Sequence, residues 1–154
     1  MNLLLIGLVL SALPVFEIRG GLPLIMEYAK STGEPLMPYF LLAVLINIFA
    51  IFIVFFFLDR LNEIFMKVPW YRRIFGVFLK RANKKARKLE KKMGTLGYLA
   101  LALFVSVPLP GTGAWSGTFV SWILNLDRRK SIFFIALGVI LASFFVLAGV
   151  SIII

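Results

Sequence analysis

Two charged residues stand inside a Pro/Gly-rich break of an otherwise apolar N-terminal stretch. Glu17 and Arg19 are followed directly by Gly20, Gly21 and Pro23. Arg19 could bind a phosphate or a carboxylate through two hydrogen bonds, and Glu17 could exchange a proton or pair with Arg19 between substrates. A charge at membrane depth is costly and usually marks a pathway or a binding site. We expect these five residues to contribute to a substrate site; the alternative is that both charges are anchors in the headgroup region.

A second break, at residues 108–113, is the counterpart of the first. Its glycines permit a tight turn, and a helix beginning near Ala114 would present N-terminal amides that attract anions. The alternative is a turn that only closes a hairpin. The residues that we expect to contribute to the substrate site here are Pro108, Pro110, Gly111, Thr112, Gly113 and Trp115.

The composition excludes most enzyme chemistry and indicates a membrane protein. Of the 154 residues 61% are hydrophobic, and there is no Cys or His. A soluble domain of this length could not bury so much apolar surface. Without these two residue types there is no thiol chemistry and no His base, and the few acids are too scattered for a metal cage. We therefore expect no enzyme activity, no metal and no cofactor.

Four apolar stretches define a single membrane domain over residues 1–154. Residues 1–30 are predicted to form a hairpin, because Pro14 to Pro23 should interrupt any continuous helix. Residues 36–58 and 131–154 are uninterrupted and long enough to span a bilayer. Residues 95–126 are broken at 108–113 and should form a second hairpin, whereas residues 59–93 are basic.

The positions of the positive charges predict a topology in the cell membrane. Residues 60–92 and 128–130 should both be cytoplasmic. The stretch between them is too short for two full crossings, so it should enter and leave on the cytoplasmic side. Because the stretch 36–58 leads to the cytoplasmic charges, it should start outside. Residues 1–30 should therefore form a hairpin that enters from outside, and both termini should lie outside. The predicted fold is all-α: two inverted repeats, each a re-entrant hairpin plus one transmembrane helix, joined by a basic cytoplasmic amphipathic helix.

The basic segment and the hairpins also suggest partners. Apolar residues recur at helical spacing through residues 72–92, which predicts a surface helix that binds anionic lipid or only fixes orientation. The net charge of +10 is grouped around the apolar stretches, so we expect no nucleic-acid binding. The hairpin backbones of so small a bundle need cover from lipid, and a homodimer would supply it.

Residues 16–23 (Phe-Glu-Ile-Arg-Gly-Gly-Leu-Pro) and residues 108–115 (Pro-Leu-Pro-Gly-Thr-Gly-Ala-Trp) together resemble the putative small multidrug export protein family. That family is distantly similar to the DedA (VTT-domain) superfamily, whose members carry two re-entrant hairpins. The DedA likeness implies handling of a lipid-linked phosphate such as undecaprenyl phosphate, with Glu17 and Arg19 as working residues. One departure is that no residue between Lys92 and Asp127 is charged, whereas DedA-type second hairpins usually carry an arginine.

Three functions follow as expectations. The first is a transporter or flippase for an amphipathic anion, such as a lipid-linked phosphate, with Glu17 coupling the step to protons. The second is proton-coupled efflux of cationic drugs centred on Glu17. The positive charge of Arg19, two residues away, argues against a cation site. The third is a membrane scaffold that gathers partners or anionic lipid through its basic segment.

Overall fold

The computed structural model describes residues 2–77, 80, 81, 84, 94–109 and 111–153, and it shows helices without strands in this part of the chain. Most of the basic segment, including most of the predicted amphipathic helix 72–92, lies outside the described residues, although residues 69–77 are helical. The predicted all-α class is confirmed. The principal helices are α1 (Leu3–Ala12), α2 (Glu17–Thr32), α3 (Leu36–Phe65), α4 (Thr95–Ser106), α5 (Ala114–Ile123) and α6 (Arg128–Ile153).

The first break is shorter than the sequence predicts. Only residues 13–16 separate α1 from α2, and α2 then continues through Pro23 to a left-handed Gly33. The predicted interruption within Pro14–Pro23 is present, but residues 17–23 are helical, so the predicted break extended too far along the chain. A proline removes one backbone hydrogen bond, but membrane helices tolerate this where neighbouring groups satisfy the freed carbonyl.

Gly21 of α2 serves close packing against α1 instead of a turn. A Cβ atom placed on Gly21 would overlap the Ser11 hydroxyl and the Gly7 carbonyl of α1. A Cβ atom placed on Gly7 would in turn lie 2.7 Å from the Ile25 side chain. The missing side chains let α1 and α2 approach closely, as small residues commonly do between membrane helices.

Helices α3 and α6 are the two described helices that are long and apolar enough to cross a membrane. With 30 and 26 residues, they would measure about 45 and 39 Å at 1.5 Å per residue. Helix α3 runs seven residues past the predicted end at Leu58, through Asp59 to Phe65. Large apolar side chains such as Leu45, Phe49 and Phe56 are exposed along it. Exposure on this scale is expected where lipid replaces protein as the neighbour.

The two hairpins pack against opposite ends of the same pair of long helices. The first buried cluster surrounds α2 and comprises Ile18, Leu22, Ile25, Phe40, Ala43 and Val44, with Val146 and Leu147 packed against it. The second surrounds α4 and α5 and comprises Ile51, Phe55, Leu101, Val105, Ala114, Ile135 and Val139. Ile48 contacts both clusters. The hairpins therefore lie end to end, and their turns meet near the middle of the bundle.

The second hairpin begins and ends at one end of the bundle. Tyr98, near the start of α4, accepts a hydrogen bond through its hydroxyl from the backbone N–H of Asp127 (3.2 Å). Asp59, near the end of α3, accepts one from the Trp122 indole at the end of α5 (2.9 Å). The inverted symmetry and the relation of both hairpins to a membrane stay predictions.

Candidate functional site where the two hairpins meet

Glu17 is a buried acidic residue at the turn of the first hairpin, and its carboxylate binds the second hairpin. The residue is 3% exposed, and its Oε1 accepts a hydrogen bond from the backbone N–H of Trp115 (3.0 Å). Trp115 is the second residue of α5, whose N-cap residue, Gly113, has no side chain to offer. The carboxylate of Glu17 therefore caps α5 from another element and meets the positive end of its dipole.

The backbone conformation of Glu17 and the absence of a side chain at Gly113 both permit this contact. Glu17 has a φ of +50°, a left-handed conformation that is uncommon for a residue with a side chain. A Cβ atom placed on Gly113 would overlap the Glu17 carboxylate. Strained φ values persist where surrounding contacts fix them, and they concentrate at functional sites.

Arg19 binds the other half of the same hairpin. Its guanidinium donates hydrogen bonds to the carbonyls of Val107 (2.8 Å), Val105 (3.1 Å) and Leu109. These carbonyls lie at and just beyond the end of α4, where a helix has unsatisfied acceptors and a negative dipole end. Arg19 therefore caps α4 as Glu17 caps α5, each with the charge that its helix end prefers.

The sequence suggested an ion pair between Glu17 and Arg19 in the absence of substrate. Among the described residues the ion pairs join Arg60 to Glu63 and Arg128 to Asp59, and Glu17 and Arg19 do not form one. Each is instead bound to backbone groups of the second hairpin. The structure thus brings Glu17, Arg19, Gly113 and the backbone of Trp115 together into one contact, which we call the hairpin clasp.

The other predicted site residues have structural positions around the clasp. Thr112 donates its hydroxyl hydrogen bond within its own turn, to the carbonyls of Val107 (2.7 Å) or Leu109 (2.9 Å). Gly111 takes a left-handed φ of +82°, and Pro108 is exposed in the same turn. Pro110 lies outside the described residues. Gly20, Gly21 and Pro23 lie inside α2, where Gly21 packs against α1.

The C-terminal end of α1 is also capped from other helices. The Trp115 indole N–H donates to the Ala12 carbonyl (3.2 Å), and the Asn47 side chain donates to the Ser11 carbonyl (2.7 Å). Asn47 is 1% exposed, and its Oδ1 atom has no hydrogen-bond partner. Trp115 therefore contacts Glu17 through its backbone and α1 through its ring. A signal was present in the sequence, since Asn47 is the one strongly polar residue between Leu36 and Leu58.

An apolar groove lies beside the clasp, between α1, α3 and α5. Its volume is about 510 Å³, and it is lined by Ala12, Leu45, Ile46, Phe49, Ala50, Ile53 and Trp115. No lining side chain is charged. Volumes of this order accommodate a drug-sized ligand. We call this space the Trp115 groove.

A second cluster of polar contacts joins the end of α3 to the start of α6. Asp59 accepts a hydrogen bond from Arg128 (2.6 Å) as well as from Trp122, and the Arg128 guanidinium lies 4.7 Å from the centroid of the Phe55 ring. The basic residues 60 and 128–130 therefore lie at the same end of the bundle. The sequence predicted these charges on one side but did not predict that Asp59 joins them.

Long apolar helices, an exposed apolar surface and charges held between two hairpin turns define a helical membrane protein. Within the described residues, no three His, Cys, Asp or Glu side chains are grouped to hold a metal ion. Residues 17–145 match the family model described as "Putative small multi-drug export protein", and the chain belongs to this family. No curated protein and no solved structure matches it. The predicted family is thus confirmed, whereas the DedA relationship stays a prediction.

Proposed function

We propose that this protein exports amphipathic organic cations across the membrane in exchange for protons, with Glu17 as the group that binds the proton. The observation that carries the proposal is the burial of the Glu17 carboxylate at the contact between the hairpins. Of the described residues that are buried, Glu17 is the only charged one. The family description, small multidrug export, supports the same class of function.

A carboxylate removed from water costs free energy unless it is paired or neutralised. In the structure, the backbone N–H of Trp115 at the start of α5 supplies the partner. A proton or an organic cation could take over that role, and either one would weaken the attraction between Glu17 and the start of α5. Binding at Glu17 would then loosen the hairpin clasp. Substrate and proton would thus have the same effect, since each would weaken the contact between the two hairpins.

The anion-transport hypothesis receives less support from the same contacts. It assigned Arg19 and the α5 amides to a phosphate, yet Arg19 donates to three carbonyls and Glu17 already occupies the amide end. An anion would have to displace both contacts. Transport of a lipid-linked phosphate such as undecaprenyl phosphate therefore stays a prediction.

Two further proposals concern partners. The basic segment 72–92 carries the charge to bind anionic lipid at the membrane surface. A second copy of the chain would cover the non-helical residues 107–109, which are exposed in one copy. Irregular backbone at membrane depth needs protein or a water-filled cavity around it, so a homodimer is the arrangement that we propose.

The test is proton-driven transport of a quaternary ammonium dye in proteoliposomes. Glu17→Gln keeps an oxygen that can accept from the Trp115 N–H, but it cannot bind and release a proton. We expect this variant to lose at least about tenfold in proton-driven transport, in line with the loss of an essential proton-carrying group. Glu27→Gln is the matched control, since Glu27 lies on the same helix and is exposed.

The possible outcomes separate the three functions. Loss of transport in Glu17→Gln with normal transport in Glu27→Gln supports proton-coupled export. Full transport in Glu17→Gln removes Glu17 as the carrier and contradicts the proposal. Absence of dye transport in the wild type, together with flipping of a labelled prenyl phosphate, would favour the lipid-phosphate flippase, and absence of both activities would favour the scaffold.

A further inference from the structure

We infer that the Trp115 groove is the binding site for the apolar body of the exported cation, and that Trp115 links occupancy of this groove to Glu17. The inference rests on the proposed function and adds to it a location and a ligand class. The class is a compact aromatic cation with its charge shielded by apolar groups.

The lining of the groove selects for an apolar, aromatic ligand. Phe49 and Trp115 present rings, and the other five lining residues are aliphatic. Aromatic rings bind organic cations through their π faces as well as through apolar contact. Phe49 is 64% exposed, so its ring contacts little of the protein and remains accessible to a ligand.

The charges around the groove favour a cation over an anion. Ala12 is the last residue of α1, so the groove lies at the negative end of that helix dipole. The Glu17 carboxylate lies on the backbone side of Trp115, 3.0 Å from its nitrogen. The cation Arg19 is directed to the carbonyls at the end of α4 and does not line the groove.

Trp115 connects the groove with the clasp through two hydrogen bonds. Its indole donates to the Ala12 carbonyl (3.2 Å), and its backbone N–H donates to Glu17 (3.0 Å). A ligand that displaces the indole breaks the first bond and shifts the start of α5. Because the second bond begins at the same residue, the shift moves the amide away from the carboxylate. Glu17 then becomes accessible to the positive charge of the ligand.

The experiment measures binding of tetraphenylphosphonium to the purified full chain in nanodiscs of zwitterionic lipid. The probe places four phenyl rings around one positive charge. We expect Phe49→Ala to weaken binding about tenfold through loss of an aromatic contact. Phe57→Ala is the matched control and should bind within about twofold of wild type: Phe57 is also an exposed α3 residue (55% against 64%) and does not line the groove.

Tetraphenylborate has nearly the same shape and the opposite charge, so it tests the choice of a cation. For each ion, the binding that is lost in Phe49→Ala is taken as binding to the groove. We expect this groove binding to be at least about tenfold stronger for tetraphenylphosphonium than for tetraphenylborate, and we expect the difference to be smaller in Glu17→Gln. Preference for tetraphenylborate would assign the groove to an anionic amphiphile such as a lipid phosphate and overturn the inference. Equal binding by Phe49→Ala and Phe57→Ala would leave the groove as ordinary lipid-facing surface.

The inference and the proposed function can fail separately. If Glu17→Gln abolishes transport while Phe49→Ala binds and transports like the wild type, proton-coupled export stands and the groove is not its site. If Glu17→Gln transports normally, the proposed function itself fails, whatever the binding results. If both variants lose transport and Phe49→Ala also loses binding, both proposals are supported.

Discussion

Replacing Arg19 by alanine would remove three hydrogen bonds that hold the end of α4 to the first hairpin. The guanidinium donates to the carbonyls of Val105, Val107 and Leu109. Val105 is fully buried, whereas the other two acceptors lie at exposed positions in the turn. The loss at Val105 should therefore be the largest, because no other donor in the described part of the chain can reach that buried carbonyl, whereas the two exposed carbonyls are accessible to a replacement donor.

The magnitude follows from these three bonds. Hydrogen bonds inside membrane proteins contribute about 0.6 kcal/mol on average and up to about 1.7 kcal/mol, and a charged donor contributes about 1.5–3 kcal/mol. Taking about 0.6 kcal/mol for each of the two exposed acceptors and about 1.5–3 kcal/mol for the buried one, we expect Arg19→Ala to lower the free energy of unfolding by about 3–4 kcal/mol. For a chain of this length the corresponding fall in Tm is about 6–16 °C.

The assay is thermal unfolding in mild detergent, followed by loss of helical circular dichroism. Arg19→Lys should fall between wild type and Arg19→Ala, because one ammonium group cannot reach three carbonyls in the geometry of the guanidinium fork. Arg60→Ala is the control: the Arg60–Glu63 pair is exposed (62% and 64%) and should matter by less than about 0.5 kcal/mol. An unchanged Tm in Arg19→Ala, combined with selective loss of undecaprenyl phosphate binding, would refute the capping argument and make Arg19 a ligand for phosphate.

Three more changes test other parts of the structure. Gly113→Ala should destabilise the protein by about 1–3 kcal/mol, measured by thermal unfolding, because the new methyl group overlaps the Glu17 carboxylate. Asp59→Ala should cost about 1–3 kcal/mol in the same assay and change the emission of Trp122, whose indole N–H loses its partner. Cysteines placed singly at Gly94 and at Arg129 should both be labelled by an impermeant reagent from the cytoplasmic side, since each lies at an end of the second hairpin.

Matched variants serve as controls for the two stability changes. Gly97→Ala adds the same methyl group within α4 where nothing lies within 4 Å, so it should not lower Tm. Asp59→Asn keeps an acceptor for the indole and should retain part of the stability lost in Asp59→Ala. Equal stability of Gly113→Ala and Gly97→Ala would contradict the close packing at the clasp, and labelling of the two cysteines from opposite faces would rule out the re-entrant hairpin.

The helices of this protein could be predicted largely from hydropathy. The uninterrupted apolar runs give α3 and α6, and the Pro/Gly break at residues 108–113 separates α4 from α5. The first break was placed too far along the chain, since residues 17–23 are helical. Local propensity penalises Pro23 and the glycines, but close packing of α1 on α2 overrides it, and this packing is not visible in a single sequence.

Glu17 and Arg19 could be identified as unusual residues, but their partners could not. A charge inside an apolar stretch is visible in the sequence, whereas the capped groups are backbone amides and carbonyls 86 to 98 residues away. Every residue carries such groups, so no residue type marks them as partners. Asn47 is visible in the sequence as a polar residue within an apolar stretch, yet its contact with the Ser11 carbonyl depends on the tertiary fold.

The clasp also has a consequence for biosynthesis. During translation Glu17 and Arg19 emerge well before the second hairpin, so the newly made first hairpin carries two charges whose partners do not yet exist. In lipid that state is costly, and it ends only when residues 105–115 arrive and supply the carbonyls and the amide. The first half of the chain therefore depends on the second for its own placement. A chain truncated after α3 should therefore be degraded by membrane quality control, because Glu17 and Arg19 would lack the backbone groups of the second hairpin that they cap.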